Sequence, residues 1–214
     1  MTTRRLAAVL ADMDGTLVDS HVVVERHWRR FAARHALDPA PFLATAHGRR
    51  SSDVIRELAP QLDAASEAAR LDAAEEVDID GLRPVPGAAE LLEALPAGTV
   101  AVVTSAHRSL AVSRMQAVGL RVPDVLVCGD EIARGKPDPE GYLRAADQLG
   151  VAPADCLVLE DVPAGVAAGA AAGALVIAVE TTYPPAQLAA AAATVPDLRG
   201  LDAVLAGLGL ALPG

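Results

Sequence analysis

The sequence predicts an α/β fold: a doubly wound, Rossmann-like parallel sheet carrying an inserted all-helical cap domain. Three observations predict it. Short apolar, largely β-branched runs at residues 100–103, 156–159 and 175–179 alternate with stretches of helical periodicity, the pattern of strand–helix–strand units in a parallel sheet. Between residues 19 and 84 that alternation stops and only helical patterns recur. The first apolar run, residues 6–11, ends in Asp12-Met13-Asp14-Gly15-Thr16. Acids at a strand's C-terminal end lie where open parallel sheets keep their ligand sites.

Residues 6–11 read as a short buried strand, and Gly15 permits a sharp turn after it because no Cβ excludes positive φ. Asp19-Ser20 is a helix-start signal. Val24, Trp28, Phe31 and His35 then recur at helical spacing, with Glu25 and Arg29 one turn apart on a flank. Asp38-Pro39-Ala40-Pro41 breaks this helix. Helical pattern resumes over residues 53–62 and 64–77, and no strand-like run intervenes before Val85. The expected division is a core of residues 1–18 and 85–214 with a cap of residues 19–84, Pro84 and Pro86 marking the return. The cap holds Trp28, Phe31 and Phe42, most of the chain's aromatic side chains.

Residues 88–95 form an amphipathic helix, and Gly98 precedes the strand ending at Thr104. Ser109 caps a helix that stops at Gly119, where glycine suits a left-handed terminus. Residues 125–128 are a short strand. Asp138 and Pro139 form an N-cap and first-turn pair for a helix ending at Gly150. A strand to Leu159, a small-residue helix over 164–172 and a strand to Val179 follow. The glycines at 165, 169 and 173 are read as close helix-on-sheet packing. Beyond Tyr183-Pro184-Pro185, residues 187–193 are expected to be helical, 193–195 an edge strand and 202–210 a last helix.

Hydrophobic residues make up 52% of the chain and aromatics only 2%, so Ala, Val and Leu must build the core. A net charge of -10 offers no basic patch to displace counterions, which argues against nucleic acid and anionic membranes as partners. The longest uncharged stretch, residues 162–179, contains Pro163 and three glycines and reads as helix-turn-strand, not a membrane span. Residues 6–11 are too short for a signal peptide. Cys128 and Cys156 lack a close-spaced partner and are expected to be reduced core thiols of a cytoplasmic protein.

Two carboxylates as close as Asp12 and Asp14 repel unless a cation or a shared proton neutralises them, so the pattern calls for a metal. One carboxylate can then act as nucleophile and the other carry a proton to the leaving group. Taken singly, the motifs have plainer readings. Asp12–Gly15 is also an Asp-Gly turn, Thr104-Ser105 a helix cap, Lys136 a solvated lysine and Glu160-Asp161 a surface acid pair. Together they offer Asp/Asp, Thr/Ser and Glu/Asp at three strand ends, with a lysine held between Gly135 and Pro137. That set fits one site for a metal and an anionic ligand.

The ordered set DMDGTLVDS, VVTS, GKPDPEGYL and VLEDVPAGVAAGAAAG resembles the haloacid dehalogenase-like superfamily of phosphotransferases, from Leu6 to about Val179. Within it the chain is most similar to small sugar-phosphate and polyol-phosphate phosphatases, such as those acting on glycerol phosphate or 2-deoxyglucose 6-phosphate. The cap phrases His47-Gly48-Arg49-Arg50 and Val24-Glu25-Arg26-His27-Trp28 share in that likeness. The resemblance implies a phosphomonoester hydrolase in which Asp12 attacks phosphorus and Asp14 protonates the leaving alkoxide, then activates water. It implies Mg²⁺ held by Asp12, the Asp14 backbone carbonyl and Asp161, with Glu160 orienting the metal's waters. Thr104, the Ser105 amide and Lys136 would hold the phosphoryl oxygens. Those phosphatases usually carry glycine after the Thr-Ser pair, whereas Ala106-His107 stands here, a departure at the substrate-side wall.

Selectivity is expected from the cap and from the loop after Ser105. His47, Arg49 and Arg50 follow a glycine-containing turn that can face the pocket, unless one arginine merely solvates the cap. His107 either touches the substrate or starts a helix in water. His21, His27 and His35 are read as ordinary surface or cap-packing residues. The expected partner is a small-molecule phosphate ester, and the chain is expected to be a monomer or weak dimer. The alternative reading is a β-phosphoglucomutase-like phosphotransferase. Against it stand Thr16 and the apolar Val24, where alignment through the first motif places the mutase's cap histidine.

Overall fold

Runs apolar on both faces pair as a six-stranded parallel sheet in the computed structural model, which describes residues 3–214. The first described elements are β1 (Arg4–Arg5), β2 (Ala8–Ala11) and β3 (Val18–Asp19). Helices α1 (His21–Arg34), α2 (Pro39–Thr45), α3 (Ser51–Leu58) and α4 (Ala64–Glu76) follow with no strand between them. After β4 (Arg83–Pro84) come α5 (Ala88–Ala94), β5 (Val100–Val103), α6 (Arg108–Ala117), β6 (Val125–Val127), α7 (Glu140–Leu149) and β7 (Cys156–Glu160). The chain then forms α8 (Pro163–Ala171), β8 (Leu175–Val179), β9 (Ala193–Val195), α9 (Leu201–Gly207) and β10 (Leu210–Ala211).

The sheet runs β6-β5-β2-β7-β8-β9 with every pair parallel. The two chain directions part at β2, which pairs Val9 with Val100 on one side and with Leu157 on the other. This is the doubly wound order, and its switch point is where such sheets bind ligands. Strand alternation sends Val9, Ala11, Val100, Val102, Leu157 and Leu159 to the face covered by α5, α6 and α9. Ala8, Leu10, Ala101, Val103 and Val158 go to the face covered by α7 and α8. Helices on both faces explain why these strands are apolar throughout.

The helical insertion has its own core. Trp28, Phe31 and Phe42 pack with ring centroids 5.4–5.5 Å apart, joined by Val54, Ile55 and Leu71. Its two chain crossings meet in the antiparallel β3–β4 pair, Val18 opposite Pro84 and Asp19 opposite Arg83. β1 and β10 form a second two-stranded sheet. Runs this short carry no readable alternation, and the sequence reading has none of the four.

Several boundaries differ from expectation. Asp38-Pro39 ends one helix and starts another: the Asp38 carboxylate accepts from the Ala40 amide at 3.0 Å, and Pro39 takes the first helical position. Ser20 precedes α1 without a side-chain capping bond. α3 begins at Ser51, ahead of residue 53. α6 is capped by His107, whose Nδ1 accepts from the Leu110 amide at 3.3 Å, and not by Ser109. Residues 187–193 are not a helix, since only a single 3₁₀ turn forms over Pro185–Gln187. That alanine-rich stretch buries Leu188 but offers no apolar stripe, and helices this short depend on packing. The last helix closes at Gly207, freeing Leu210 for β10. Of the three spaced glycines, Gly165 and Gly169 are contact positions: a Cβ would lie 1.8 Å from Glu160 Oε1 and 2.8 Å from a Val158 methyl, respectively. Gly173 instead ends the helix at φ +85 in open space.

Candidate active site

β2 delivers Asp12 to the switch point, where its amide donates to the Leu159 carbonyl at 2.9 Å and locks it against β7. The chain then turns back at Gly15, φ +84, with the Gly15 amide donating to the Val18 carbonyl at 2.7 Å. No side chain would fit there, because a Cβ would stand 2.0 Å from Asp161 Oδ2. β7 ends at Glu160 with Asp161 next in the chain, Thr104 directly follows β5, and all three are buried.

Lys136 enters from the loop before α7 and inserts its ammonium between Asp12 Oδ1 and Glu160 Oε1, the latter at 2.5 Å. Glu160 is saturated. Its Oε1 also accepts from the Tyr142 hydroxyl at 2.6 Å, and its Oε2 accepts from the Asp161 and Val162 amides at 3.1 and 3.4 Å. Asp161 takes the Thr16 hydroxyl at 3.1 Å on Oδ1 and the Thr182 hydroxyl on Oδ2. Asp12 Oδ2 is different: it is buried with no hydrogen-bond partner among the described residues. An orphan acceptor of this kind costs about 1–3 kcal/mol.

The electrostatics match the geometry. Burial raises the Asp12 carboxyl well above its ordinary value, with Lys136 pulling the other way and Glu160 and Asp161 adding to the rise. Burial and the Glu160 charge push Asp161 up to about 8. Burial would lower Lys136, but the Asp12 and Glu160 carboxylates hold it above the ordinary lysine range. Three buried acids face one ammonium, and oxygens of Asp12, Glu160 and Asp161 lie within 4.8 Å of one another. An all-oxygen set with an unpartnered carboxylate oxygen fits a hard divalent cation. Within this set Asp12 Oδ2 is the oxygen without a partner among the described residues; both oxygens of Glu160 and both of Asp161 already accept hydrogen bonds.

Above these groups lies a cavity of ≈ 50 Å³ lined by core and cap. Asp12, Asp14, Thr104, Ser105 and Ala106 line it from the core, His47 and Arg49 from the cap. Thr104 Oγ accepts from the Ala106 amide at 3.1 Å, and the Ser105 hydroxyl donates to the Gly48 carbonyl at 2.8 Å. Arg49 also pairs with Glu57 at 2.7 Å.

Arg50 and His107 line not this cavity but an adjoining one of ≈ 300 Å³, which shares Ser51, Asp72 and Ser105 with it. Arg50 turns from the first cavity, bonding Asp53 at 2.6 Å and the Ile132 and Ala133 carbonyls at 3.2 and 3.3 Å. It latches the cap to the core. His107 caps α6, with its Nδ1 3.0 Å from the Ser109 hydroxyl, and stands outside the first cavity. Conversely, His21 is more than a surface residue: it lines the first cavity and places Nε2 2.6 Å from Thr182 Oγ. His27 and His35 serve cap packing, each against a carboxylate, Asp78 at 2.8 Å and Glu67 at 3.0 Å.

Sequence reasoning missed Arg114 and Glu75. Arg114, 3% exposed, bonds Asp14 Oδ1 at 2.8 Å with one nitrogen and Glu75 with another. The signal is present in the chain. Arg114 stands among Leu110, Ala111 and Met115 on the buried stripe of α6, and Glu75 follows Ala68 and Leu71 on that of α4. A charge on an apolar stripe points to a buried partner.

Comparison with known proteins places this geometry in context. The sequence model of the haloacid dehalogenase-like hydrolases matches residues 6–173. Hexitol phosphatase A of Escherichia coli is 40% identical over 209 residues, 95% of this chain and 92% of that protein. 2-Deoxyglucose-6-phosphate phosphatase 1 of Saccharomyces cerevisiae is 32% identical over 196 residues, 81% of this chain and 80% of that protein. A β-phosphoglucomutase structure from Clostridium difficile superposes with a TM-score of 0.81 at 19% identity, covering 95% of this chain and 96% of that one, a likeness of fold.

Proposed function

The chain belongs to the haloacid dehalogenase-like hydrolases and is a phosphatase; we propose that it hydrolyses small sugar or polyol monophosphates, with Mg²⁺, through an aspartyl-phosphate on Asp12. The observation that carries the reading is Asp12 Oδ2, a buried carboxylate oxygen with no partner among the described residues, beside a lysine and two further acids. The named relatives support the substrate class, and the acid-lined cavity bears on it too. Asp72 and Glu75 disfavour a second anionic group on the substrate and accept readily from hydroxyls. We place the domain division at the β3–β4 pair, with residues 19–84 as cap and residues 1–18 and 85–214 as core.

The Asp12 carboxylate attacks phosphorus while Lys136, bonded to it, offsets its charge. The bond from phosphorus to the ester oxygen breaks, and the departing oxygen takes a proton from Asp14. Water then attacks the acyl phosphate and loses its proton to Asp14, restoring the Asp12 carboxylate and releasing inorganic phosphate. Thr104, the Ser105 amide and Lys136 hold the phosphoryl oxygens and stabilise their developing charge. Asp12, the Asp14 carbonyl and Asp161 would hold Mg²⁺, which would supply positive charge to draw an anionic ester into an acidic protein. Glu160 holds Lys136 and the start of α8 in place.

Phosphate release from a panel of hexitol, sugar, glycerol and nucleoside monophosphates, with Mg²⁺ or EDTA, tests the proposal. Hexitol or hexose phosphates should lead, activity should require Mg²⁺, and Asp12→Asn should fold yet lose essentially all turnover. A tenth of wild-type turnover remaining in Asp12→Asn would exclude the covalent route. Glucose 6-phosphate forming from β-glucose 1-phosphate faster than free phosphate would favour the mutase instead.

A further inference from the structure

Arg114 and Glu75, both buried, have no part in the reaction scheme above, yet Arg114 reaches its proton donor, Asp14. Arg114 belongs to the core helix α6, Asp14 to the loop after β2, and Glu75 to the cap helix α4. One guanidinium nitrogen donates to Asp14 Oδ1 at 2.8 Å and another to Glu75 Oε2. We propose that Arg114 is a positioning residue for Asp14, and that Glu75, by sharing the guanidinium, ties the aim of that carboxylate to the seating of the cap. The inference rests on the reaction proposed above.

A guanidinium is planar and rigid, so two carboxylates at its edges are set at a fixed spacing and orientation. Asp14 sits immediately before the turn at Gly15 and keeps 21% of its side chain exposed, so without Arg114 its carboxylate would be free to swing. The contact occupies Oδ1 and leaves Oδ2 to hand its proton to the departing oxygen. As a mere fastener the trio is poor. Arg114 Nε is buried with no partner among the described residues, and a buried ion pair rarely outperforms apolar packing of the same volume. Beside the group that must protonate the leaving oxygen, its geometry has a use.

Glu75 makes the arrangement sensitive to the cap. The next residue, Glu76, is held on α6 by the Ser109 hydroxyl at 2.8 Å and by the Ser113 hydroxyl, also at 2.8 Å. Glu75 therefore meets Arg114 only when α4 lies on α6. The cavity between cap and core, ≈ 50 Å³, has room for a few waters, at ~10–15 Å³ of the same measure for each, and is small for a sugar phosphate. The ester must enter with the cap raised, and Arg114 then faces Asp14 alone. Seating the cap returns Glu75, which takes up part of the guanidinium's field and fixes its plane.

Leaving groups separate positioning from support. An aryl phosphate such as 4-nitrophenyl phosphate loses a stable anion and needs little protonation, whereas an alkyl phosphate such as a hexitol phosphate must be given a proton. kcat/KM, which covers the steps through phosphoryl transfer, is measured on both for wild type, Arg114→Met and Glu75→Gln, with melting curves to verify folding. We expect the alkyl ester to lose roughly thirtyfold and the aryl ester less than about threefold, a fraction of the ~10²–10⁴ that a positioned proton donor contributes. Arg114→Lys, which keeps the charge without the fork, should recover only part of the alkyl rate. If Arg114→Met does not fold, the nearly isosteric Glu75→Gln decides the matter alone. Parallel losses on both esters, or none, with wild type active, overturn the inference. Wild type inactive on every ester overturns the reaction itself, and the inference with it.

Discussion

Replacing Lys136 with methionine removes one ammonium and little else, because methionine is unbranched and of similar length and can keep the packing beside the Tyr142 ring, over which Nζ now sits at 5.5 Å. The side chains concerned are 5% exposed for Lys136, 3% for Asp12 and 0% for Glu160. Without the lysine, Asp12, Glu160 and Asp161 share a pocket less than 5 Å across with no cation. Breaking a buried pair by removing one partner costs about 3–5 kcal/mol, a large part of the ~5–15 kcal/mol that holds a protein folded. For a chain of this size the melting temperature should fall by roughly 6–20 °C. Urea unfolding followed by far-UV circular dichroism, in EDTA and in excess Mg²⁺, measures the loss directly. Mg²⁺ at a hundred times its Kd stabilises by ~2.7 kcal/mol, and it should restore more to the variant than it adds to wild type. A variant within about 1 kcal/mol of wild type in EDTA would refute the account of Lys136 as the charge that makes the acid cluster tolerable.

Gly165→Ala places a Cβ 1.8–2.2 Å from three atoms of the Glu160 carboxyl group. It should abolish most Mg²⁺-dependent phosphate release and lower the melting temperature, although alanine improves helix propensity by about 1 kcal/mol. Arg49→Ala should raise KM for the best polyol phosphate while sparing 4-nitrophenyl phosphate. Arg50→Ala, by losing the bonds to the Ile132 and Ala133 carbonyls, should raise KM for both alike. Burial raises Glu75 from an ordinary 4.5 to about 7, so the folded chain holds this proton more tightly than the unfolded one. Its contribution to stability is full below pH ~4.5 and is lost as pH rises through ~7, on the order of 3 kcal/mol. Glu75→Gln should flatten that slope in unfolding curves between pH 5 and pH 8, and an unchanged slope would assign it to another group.

What the sequence determined by itself is whatever depends on local periodicity and on strand direction. Strand runs apolar on both faces, such as residues 100–103 and 156–160, announce a parallel sheet with helices on each side. Parallel strands end at one edge, so acids and hydroxyls just past those ends meet without any knowledge of packing. Asp12, Thr104, Glu160 and Asp161 are legible for that reason. Lys136 is legible through its neighbours, since Gly135 and Pro137 mark a loop at that same edge.

Only the tertiary structure decided the rest. Arg114 is 39 residues from Glu75 and 100 from Asp14, and no periodicity links an α6 side chain to a cap helix. That Arg50 reaches the Ile132 and Ala133 carbonyls, and that His107 caps α6 beside a second cavity, no spacing in the sequence discloses. Residues 187–193 carry helical composition, yet bury too little to hold a helix between Pro185 and β9. Contacts between domains follow from how two folded surfaces dock, a property of shape and charge assembled from distant parts of the chain.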